Sequence, residues 1–430
     1  MTSREVLRQL VIQQKAGITR DDDYIERTIL HEVLDAFSDD RVIVLSGIRR
    51  CGKSTLLRQI MRTKDRYCYV NFEDERLLTF RAEDFEILNE ILMEVYGPVD
   101  LYFFDEIQNI AQFETFVRRL QDAKKKVILT GSNASLLSHE FGTRLTGRYK
   151  LFEIYPFSFT EYLRFKKIRL HDDSVYLSED RAVLASAFRT YAESGGLPEF
   201  LKNQDTDYVK TLYDNILYRD IIARYSIRRQ RLVRELVGML ASAISLPFTY
   251  NALKKSLGLK NAITVKEYIG YLSSAYLFFE LPRFDFSVKK QLNSPRKMYC
   301  IDTAFSTLAG FSSSPNTGRL LENIVYIELR RRGYEIYYFS AGRECDFIIK
   351  NERKISCAIQ VCHEMNAENS EREIGGLCEA LEEYGLKKGL ILTGNQEDRR
   401  TERDMVIIIK PVWKWLQEQD SLKGAEHGRK

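Results

Sequence analysis

The segment from Gly47 to Ser54 constrains the fold more than any other part of the chain. Its sequence, GIRRCGKS, matches the pattern G-x-x-x-x-G-K-[ST]; it follows the apolar run VIVLS and precedes the helix-forming run TLLRQIM. A glycine-rich turn between a buried strand and a helix N-terminus directs backbone N–H groups toward one point, which suits a phosphate group. This context predicts a phosphate-binding loop rather than a chance glycine-rich turn.

Individual residues of this loop are expected to have separate roles in binding. The Lys53 ammonium would lie against the β- and γ-phosphate oxygens, and the Ser54 hydroxyl would coordinate Mg²⁺. We therefore expect ATP with Mg²⁺ as the ligand. The residues expected to contact the nucleotide are Gly47, Ile48, Arg49, Arg50, Cys51, Gly52, Lys53, Ser54 and Thr55.

A second motif places two carboxylates at the end of an apolar run, LYFFDE. Downstream of a phosphate loop, Asp105 is expected to organise the magnesium shell and Glu106 to activate the attacking water as a general base. The alternative is a solvated turn after an ordinary strand.

Two further apolar runs end in small polar residues. The run VILTGSN ends in Ser132 and Asn133, which either hydrogen-bond the attacking water or γ-phosphate, or cap a following helix. The run ending at Asn71 offers a side chain that either tethers Glu106 when the site is unoccupied or forms part of a turn.

Strand-like runs alternate with helical stretches over residues 41–135, which predicts a parallel α/β sheet with helices on both faces. A length of 430 residues predicts two to four domains, at about 100–200 residues each. The formal charge of +4 does not indicate a general nucleic-acid binder, and the seven cysteines lack zinc-type spacing, so free thiols are expected. No apolar run suits a membrane span and no signal-peptide pattern is present, so we expect a cytoplasmic protein with no membrane partner.

Together these motifs resemble a P-loop ATPase of the AAA+ kind. Additional segments narrow the resemblance to bacterial and archaeal AAA-type ATPases of largely unknown role, whose C-terminal domain resembles PD-(D/E)xK nucleases. These segments are LTGR at 145–148, PFSFTEYL at 156–163, GGLPE at 195–199 and YRDI at 218–221. The resemblance implies an α/β AAA+ domain over 1–210, a helical and winged-helix middle over 211–300, and a restriction-endonuclease-like α/β domain over 301–430.

The resemblance also implies an arginine near the LTGR turn that reaches a nucleotide. Arg148 matches this position and Arg144 competes with it. An arginine stays charged and distributes its donors around a developing phosphoryl charge. If it acts across a subunit boundary, the protein must form a homo-oligomer; the alternatives are action within one chain and a surface ion pair.

The middle of the chain resembles a winged helix followed by a basic hairpin. A helix beginning near Lys260 and Asn261 could enter a DNA major groove, with the basic wing on phosphates. The alternative is a contact surface for a partner protein, since Glu267 on the same helix would repel phosphate. Double-stranded DNA is therefore one of two expected partners.

In the C-terminal region the nuclease resemblance rests on Glu322, Asp346 and the strand containing Gln360 and Cys362. Gln360 stands where active relatives have the metal-binding Glu, and Cys362 stands where they have the Lys that activates water. Glutamine is a poor ligand for a hard cation, and no residue of the motif replaces the lysine. We expect a catalytically silent domain, with an unusual nuclease arrangement as the alternative.

Three functions follow. The first is a Mg²⁺-dependent ATPase with Lys53, Glu106 and Arg148 in catalysis. The second is a nucleotide-dependent switch with negligible turnover alone, and the third, disfavoured by Gln360 and Cys362, is an ATP-dependent nuclease.

Overall fold

The structure, a computed structural model, describes residues 3–18, 24–133, 147–169, 177–308 and 316–418. The chain divides into two units, one comprising residues 1–155 with Ser274–Tyr276, the other residues 156–273 and 277–430. Within the described ranges, none of the helices is both long and apolar enough to cross a bilayer.

The first unit is built on a five-stranded parallel sheet with the strand order β2-β3-β4-β1-β5. The first four strands confirm the four apolar runs expected from the sequence, and the fifth was not predicted. The strands are β1 (Val42–Ser46), β2 (Cys68–Asn71), β3 (Leu101–Asp105), β4 (Lys126–Gly131) and β5 (Tyr149–Glu153).

Helices cover both faces of this sheet, which is why its central strands are apolar at consecutive positions in their middle parts. Val44 and Phe104 belong to a core shared with the first helix, while their neighbours Ile43 and Phe103 are equally buried on the opposite face. The helices of this unit are α1 (Arg4–Ile18), α2 (Leu30–Asp35), α3 (Lys53–Met61), α4 (Phe85–Tyr96) and α5 (Phe113–Asp122), with 3₁₀ turns at Ala36–Ser38, Glu75–Leu77, Ala82–Asp84 and Ile107–Asn109.

Helix α1 is amphipathic and packs at one edge of the sheet. Its Leu7, Leu10 and Val11 are fully buried. The Gln14 side chain accepts a hydrogen bond from the N–H of Asn71 (2.9 Å) and donates one to the carbonyl oxygen of the same residue (3.1 Å). These two bonds pair the backbone N–H and carbonyl groups at the end of edge strand β2. Unpaired groups at a sheet edge could bind another strand.

The second unit begins with helices. They are α6 (Phe159–Phe165), α7 (Ser178–Ser194), α8 (Pro198–Asn203) and α9 (Thr206–Asn215), which continues into a π-helix (Ile216–Ala223). Gly195 and Gly196, which follow α7, pack so closely that an added Cβ would lie 1.7 Å from Asp302 Oδ1 and 2.2 Å from the Phe157 carbonyl oxygen, respectively. Both positions therefore require glycine.

Three helices and a hairpin come next along the chain. They are α10 (Gln230–Ser242), α11 (Tyr250–Ser256), α12 (Ala262–Ser274), β6 (Phe278–Pro282) and β7 (Arg296–Cys300), and a short helix, α13 (Val288–Asn293), lies in the connection between the two strands. Thr249 caps α11 by accepting a hydrogen bond from the N–H of Ala252 (3.1 Å). The order of elements is that expected for a winged helix, whose identity stays a prediction.

The C-terminal part is a six-stranded mixed sheet with the order β12-β13-β11-β10-β9-β8. Its strands are β8 (Glu335–Ser340), β9 (Glu344–Asn351), β10 (Lys354–Cys362), β11 (Lys388–Thr393), β12 (Asp398–Glu402) and β13 (Met405–Pro411). Its helices are α14 (Thr303–Leu308), α15 (Thr317–Arg331), α16 (Ser370–Glu383) and α17 (Val412–Trp415). Leu377 and Leu381 of α16 pack on Ile348 and Ile391 of the sheet in one buried core.

Candidate functional site

The candidate site lies at the carboxyl edge of the parallel sheet in the first unit. Strand β4 separates β1 from β3, so the polar end of β4 stands between the phosphate loop and the acidic pair. Asn71 is the register partner of Asp105, and Phe104 pairs with Leu129, which brings Thr130 beside Asp105. Parallel register therefore gathers motifs that are far apart in sequence at one edge.

The loop from Gly47 to Gly52 leads from β1 directly into α3. Gly52 (φ 97°) and Arg50 (φ 66°) adopt left-handed backbone conformations that turn the chain toward the helix. A Cβ on Gly47 would lie 2.0 Å from the Ile154 carbonyl oxygen, so only glycine fits there. The first-turn amides of α3, at Lys53, Ser54 and Thr55, have no partner in a preceding helical turn and are suited to an anion.

The Lys53 side chain is buried and folds back over the loop. Its ammonium donates to the carbonyl oxygens of Gly47 and Ile48, each at 3.2 Å, and lies 3.5 Å from Glu106 Oε1. Burial alone would lower the pKa of Lys53, but the carboxylates of Glu106 and Asp105 outweigh it and raise that pKa. The loop therefore contains a permanent positive charge.

Asp105 is joined to the loop helix and to β4. The Ser54 hydroxyl donates to Asp105 Oδ1 at 3.1 Å, and the Thr130 hydroxyl hydrogen-bonds the same oxygen. The Tyr69 hydroxyl donates to Asp105 Oδ2 at 3.3 Å. Burial, and then repulsion from Glu106, raise the pKa of Asp105, so the nearby hydroxyl groups and Lys53 are what favour its ionised form.

Glu106 turns away from the strand into the site. Its backbone is left-handed (φ 52°), and its N–H donates to Thr130 Oγ1 at 2.8 Å. The Gln108 amide hydrogen-bonds Glu106 Oε2 and donates to Ser132 Oγ at 3.3 Å. Burial acts to raise the pKa of Glu106, but Lys53 and then Gln108 reverse this, so the net shift is downward and the carboxylate is ionised near neutral pH.

The other loop residues have structural contacts. The Arg49 guanidinium pairs with Glu73 Oε1 at 3.0 Å, and the buried Cys51 thiol donates to the Ile154 carbonyl oxygen at 3.2 Å. Burial raises the pKa of Cys51, which keeps it a thiol. Thr55 is half-buried in the first turn of α3. The hydrogen bond of Cys51 therefore links the loop to the chain segment that follows β5.

Sequence reasoning missed four residues that organise the site: Arg27, Tyr69, Gln108 and Thr130. Arg27 is 3% exposed, and its guanidinium donates to the carbonyl oxygens of Cys51 (2.8 Å) and Tyr155 (2.7 Å). Arg27 thereby links the phosphate loop to Tyr155, but it lies in a segment of the sequence that carries no motif. Thr130 had a usable signal, since it precedes the small polar residues at the end of β4.

The alternatives for the polar strand ends are partly resolved. Ser132 accepts a hydrogen bond from Gln108 and is thereby linked to Glu106, while Asn133 is fully buried beside it. Residues 134–146, where the helix that they were expected to cap would begin, lie outside the described residues. The Asn71 side chain accepts a hydrogen bond from the N–H of Glu73 at 2.8 Å, which supports the turn interpretation over a tether for Glu106.

Arg148 is not brought to this site within its own chain. It precedes β5, whose first residue pairs with Val42 at the start of β1, whereas the phosphate loop follows Ser46 at the other end. The two ends are separated by roughly 13 Å of strand. The Arg148 guanidinium pairs with Asp122 Oδ1 at 2.7 Å and is 44% exposed. A role within one chain does not fit this position, and the competitor Arg144 lies outside the described residues.

A second cluster of charged residues lies in the second unit, where the nuclease resemblance was expected. The Lys297 ammonium, 1% exposed, lies 3.1 Å from Glu322 Oε1, 2.7 Å from Glu344 Oε1 and 2.9 Å from Asp346 Oδ1. The Tyr299 hydroxyl donates to Glu322 Oε1 at 2.6 Å. Sequence reasoning missed this lysine, which comes from β7 and lies outside the motif.

The Lys297 ammonium is the counter-ion of all three carboxylates in this cluster. Burial alone would lower the pKa of Lys297, but Asp346, Glu322 and Glu344 together raise it well above its usual value. Burial, and then the neighbouring Asp346, raise the pKa of Glu322 to about 7 despite the opposing effect of Lys297.

Gln360 and Cys362 make local contacts. The Gln360 amide donates to Glu373 Oε2 at 2.7 Å, and its carbonyl accepts from the N–H of Asp346 at 3.2 Å. The Cys362 thiol donates to the Glu364 carbonyl oxygen at 3.1 Å. Neither side chain adds a charge to the cluster around Lys297.

Comparison with known proteins gives three domain matches. The profile of an AAA domain matches residues 39–163, and profiles of two domains of unknown function, DUF8612 and DUF4143, match residues 185–314 and 317–415.

Relatives cover nearly the whole chain. An uncharacterized protein of Methanocaldococcus jannaschii is 34% identical over 96% of this chain and 96% of its own length. An uncharacterized protein of Haemophilus influenzae is 29% identical over 94% of this chain and 99% of its own length. Among solved structures, the Walker-type ATPase of Pyrococcus abyssi matches with a TM-score of 0.43 at 16% identity, over 68% of this chain and 97% of that chain.

Proposed function

Because this chain belongs to the family of the Methanocaldococcus jannaschii protein and contains an AAA domain, we propose that it binds ATP with Mg²⁺ and hydrolyses the bond between the β- and γ-phosphates. The proposal rests on one observation. A buried ammonium, a hydroxyl and two carboxylates converge at one sheet edge, with Ser54 3.1 Å from Asp105 and Lys53 3.5 Å from Glu106.

The residues present fit a triphosphate with its metal. The loop amides and Lys53 supply positive charge for phosphate oxygens, and the glycine at 47 is required by the tight loop. Ser54 and Asp105 present neighbouring oxygens 3.1 Å apart, of the hard type that Mg²⁺ prefers, and would hold the metal. When bound, Mg²⁺ would neutralise charge on the phosphate oxygens.

Glu106 is the proposed general base. Its ionised carboxylate can accept the proton of a water molecule, and Gln108 and Thr130 fix its direction. Its present partner is Lys53, so nucleotide binding would redirect the ammonium toward phosphate and release the carboxylate for the water. Ser132, joined to Gln108, is a positioning residue for the same carboxylate in this proposal.

A conservative substitution tests the assignment. Glu106→Gln is expected to lower the ATPase kcat by about 10²–10⁴-fold, because it removes proton transfer, while the ATP Kd changes only a few-fold. Phosphate release and nucleotide titration measure the two quantities. Glu90→Gln, at an exposed carboxylate that pairs with Arg4, is the matched control and should keep wild-type turnover. Equal hydrolysis by Glu106→Gln and wild type would reject the assignment.

A switch with negligible turnover alone is the second candidate, and the position of Arg148 favours it. Since this arginine pairs with Asp122 away from the loop of its own chain, Arg148 could stabilise a transferring phosphoryl group only on a second chain. Steady-state turnover at several protein concentrations, with and without duplex DNA, separates the two candidates. An undetectable rate under all conditions, with intact ATP binding, would select the switch.

Double-stranded DNA is the proposed partner of the middle region. Lys255, Lys260 and Lys266 are exposed and form no ion pair within the described part of the chain, so they can contact phosphates. The Lys260→Ala/Lys266→Ala variant should bind labelled duplex DNA several-fold more weakly, with a shallower salt dependence, in fluorescence anisotropy. Lys210→Ala, at a lysine paired with Asp207, is the control. Binding unaffected by the double substitution would favour a protein partner instead.

The division into an ATPase domain over 1–210, a helical and winged-helix part over 211–300 and a silent nuclease-like domain over 301–430 is part of this proposal. Its support is the order of elements, with three helices and a hairpin ahead of a mixed sheet.

A further inference from the structure

The nuclease resemblance implies a divalent cation between the carboxylates of the C-terminal domain, and the residues present do not fit one. Glu322 and Asp346 are the carboxylates that the resemblance would assign to a metal. The oxygens of both that face the cluster lie about 3 Å from the Lys297 ammonium, which therefore occupies the space between them. A metal ion and this ammonium cannot share that space.

The ammonium is also saturated. A lysine has three N–H donors, and here three separate carboxylates lie within hydrogen-bonding distance of them, at 2.7, 2.9 and 3.1 Å. The side chain is 1% exposed, so water does not compete for these donors. A lysine that activates water must keep one N–H donor for that water, and all three N–H donors of Lys297 face carboxylates.

The remaining ligands expected for a metal face other partners. The second oxygen of Asp346, Oδ2, accepts from the N–H of Val361 at 3.0 Å. The Gln360 amide donates to Glu373, and its carbonyl accepts from the backbone of Asp346. The ligand set that the resemblance implies would therefore require Lys297 to leave and Gln360 to turn, whereas a site made of the three carboxylates alone requires only that Lys297 leave.

We propose that Lys297 takes the place of the divalent cation in this domain, so that the wild-type cluster is a closed ion-pair core that does not bind Mg²⁺ or Mn²⁺. The misfit between these residues and the divalent cation that the resemblance implies then has a physical cause. A tethered cation fills a site whose carboxylates persist, and its removal uncovers a latent metal site made of Glu322, Glu344 and Asp346.

The ion pairs of Lys297 also join three elements of the second unit. Lys297 lies on β7, while its partners lie on α15 and β9. The same hairpin is attached to the C-terminal sheet by the N–H of Phe284, which donates to the Tyr338 carbonyl oxygen at 2.9 Å, and by the Tyr338 hydroxyl, which donates to the Pro295 carbonyl oxygen at 2.8 Å. The internal cation therefore fastens the hairpin to this sheet, a role that a diffusible metal would not perform.

Metal binding by nucleotide-free full-length protein tests the proposal without reference to ATPase activity. Mn²⁺ titrations followed by electron paramagnetic resonance should show one more bound ion per chain in Lys297→Ala than in wild type. Its Kd is expected on the order of 10⁻⁴–10⁻³ M, as for untuned carboxylate sites. The double variant Lys297→Ala/Asp346→Asn should lose this extra ion. Lys350→Ala removes an exposed lysine paired with Glu335 on β9 and should gain none.

Thermal melting supplies a second readout. Lys297→Ala leaves three carboxylates without their counter-ion, so its Tm should fall by about 5–15 °C, and Mn²⁺ should restore part of the loss. The Tm of wild type and of Lys350→Ala should not respond to Mn²⁺ in this way. A folded Lys297→Ala that gains no Mn²⁺ site overturns the proposal.

Wild-type measurements keep the proposal testable if Lys297→Ala does not fold. Wild type and Asp346→Asn should bind the same number of Mn²⁺ ions. A Mn²⁺ ion that wild type binds and Asp346→Asn loses would overturn the proposal. So would Mn²⁺-dependent DNA cleavage by wild type that Lys297→Met abolishes, since this would make Lys297 a catalytic lysine in an unusual nuclease.

Discussion

At the scale of single residues, the acidic pair depends on a hydroxyl that belongs to neither motif. Thr130 hydrogen-bonds the Asp105 carboxylate through its hydroxyl and accepts the N–H of Glu106 at 2.8 Å. One side chain thus fixes the metal-binding carboxylate and the left-handed turn that directs the proposed base. Mutation of groups that orient metal-binding residues typically costs about 10–100-fold in metal affinity or activity.

Thr130→Val keeps the branched shape and removes the hydroxyl. We expect the ATPase kcat to fall by about 10–100-fold while the ATP Kd stays within about threefold, because orientation of Glu106 is lost but the loop is intact. Steady-state phosphate release and nucleotide titration measure these quantities. Thr63→Val is the control, since the Thr63 hydroxyl donates only to the Ile60 carbonyl oxygen at the end of α3. Wild-type kcat in a folded Thr130→Val would contradict this role.

Local spacing explains which site residues the sequence predicts. Lys53, Ser54, Asp105 and Glu106 follow from short motifs, because a strand followed by a turn fixes their positions without knowledge of the rest of the fold. Lys297 is separated from Asp346 by 49 residues and reaches it only after the hairpin docks on the C-terminal sheet. Such a partner is a property of tertiary packing and carries no local signal.

At the scale of elements, apolar character decides what the sequence reveals. Strands β1 to β4 are buried on both faces and read as continuous apolar runs. Edge strand β12, with the sequence DRRTE, is almost wholly exposed and gains its conformation only by pairing with β13. Edge strand β5 is partly exposed, with Phe152 buried, and its pairing with β1 is a consequence of the sheet. These two strands could not be predicted from hydrophobic periodicity.

The GGLPE segment illustrates how a motif can be structural. The Asp302 carboxylate accepts the N–H of Gly196 at 2.7 Å and that of Ala304 at 2.9 Å, and so joins the turn after α7 to the start of α14. The glycines are needed because this carboxylate and the Phe157 backbone approach too closely for a Cβ. The motif therefore serves the packing of the second unit and not the phosphate site.

This junction predicts a pH dependence of stability. Burial raises the pKa of Asp302 to about 6 from 3.8, even though the two N–H groups favour the carboxylate. Between about pH 4 and pH 6 the folded protein keeps a proton that the unfolded chain has lost, so stability falls as the pH rises through this window, by up to about 3 kcal/mol. Asp302→Asn does not titrate and escapes this loss.

The measurement is the Tm of wild type minus that of Asp302→Asn, recorded from pH 4 to pH 7. We expect this difference to decrease as the pH rises to about 6 and then to level off. Asp398→Asn, at an exposed carboxylate paired with Arg400, provides the control, and its difference from wild type should be nearly constant above pH 4.5. A difference for Asp302→Asn that is flat or increases would contradict the assignment.

At the scale of the whole molecule, the position of Arg148 links the proposed chemistry to assembly. Its ion pair with Asp122 is exposed on both sides, and such pairs contribute little stability, about 0–1 kcal/mol. The arginine can therefore exchange its partner at low cost. Because it lies at the sheet edge opposite the phosphate loop, only the loop of a second chain offers it a phosphoryl group.

Turnover per chain should then increase with protein concentration, and Arg148→Ala should abolish the increase without weakening ATP binding. Arg41→Ala is the matched control, since Arg41 is 45% exposed, pairs with Asp39 and precedes the neighbouring strand β1 at the same edge.

Mixing two inactive variants provides a second test of the same role. Arg148→Ala retains an intact Glu106, and Glu106→Gln supplies an intact Arg148, so mixed assemblies should hydrolyse ATP faster than the sum of the separate rates. Additive rates in mixtures that demonstrably co-assemble would show that Arg148 does not act across a subunit boundary.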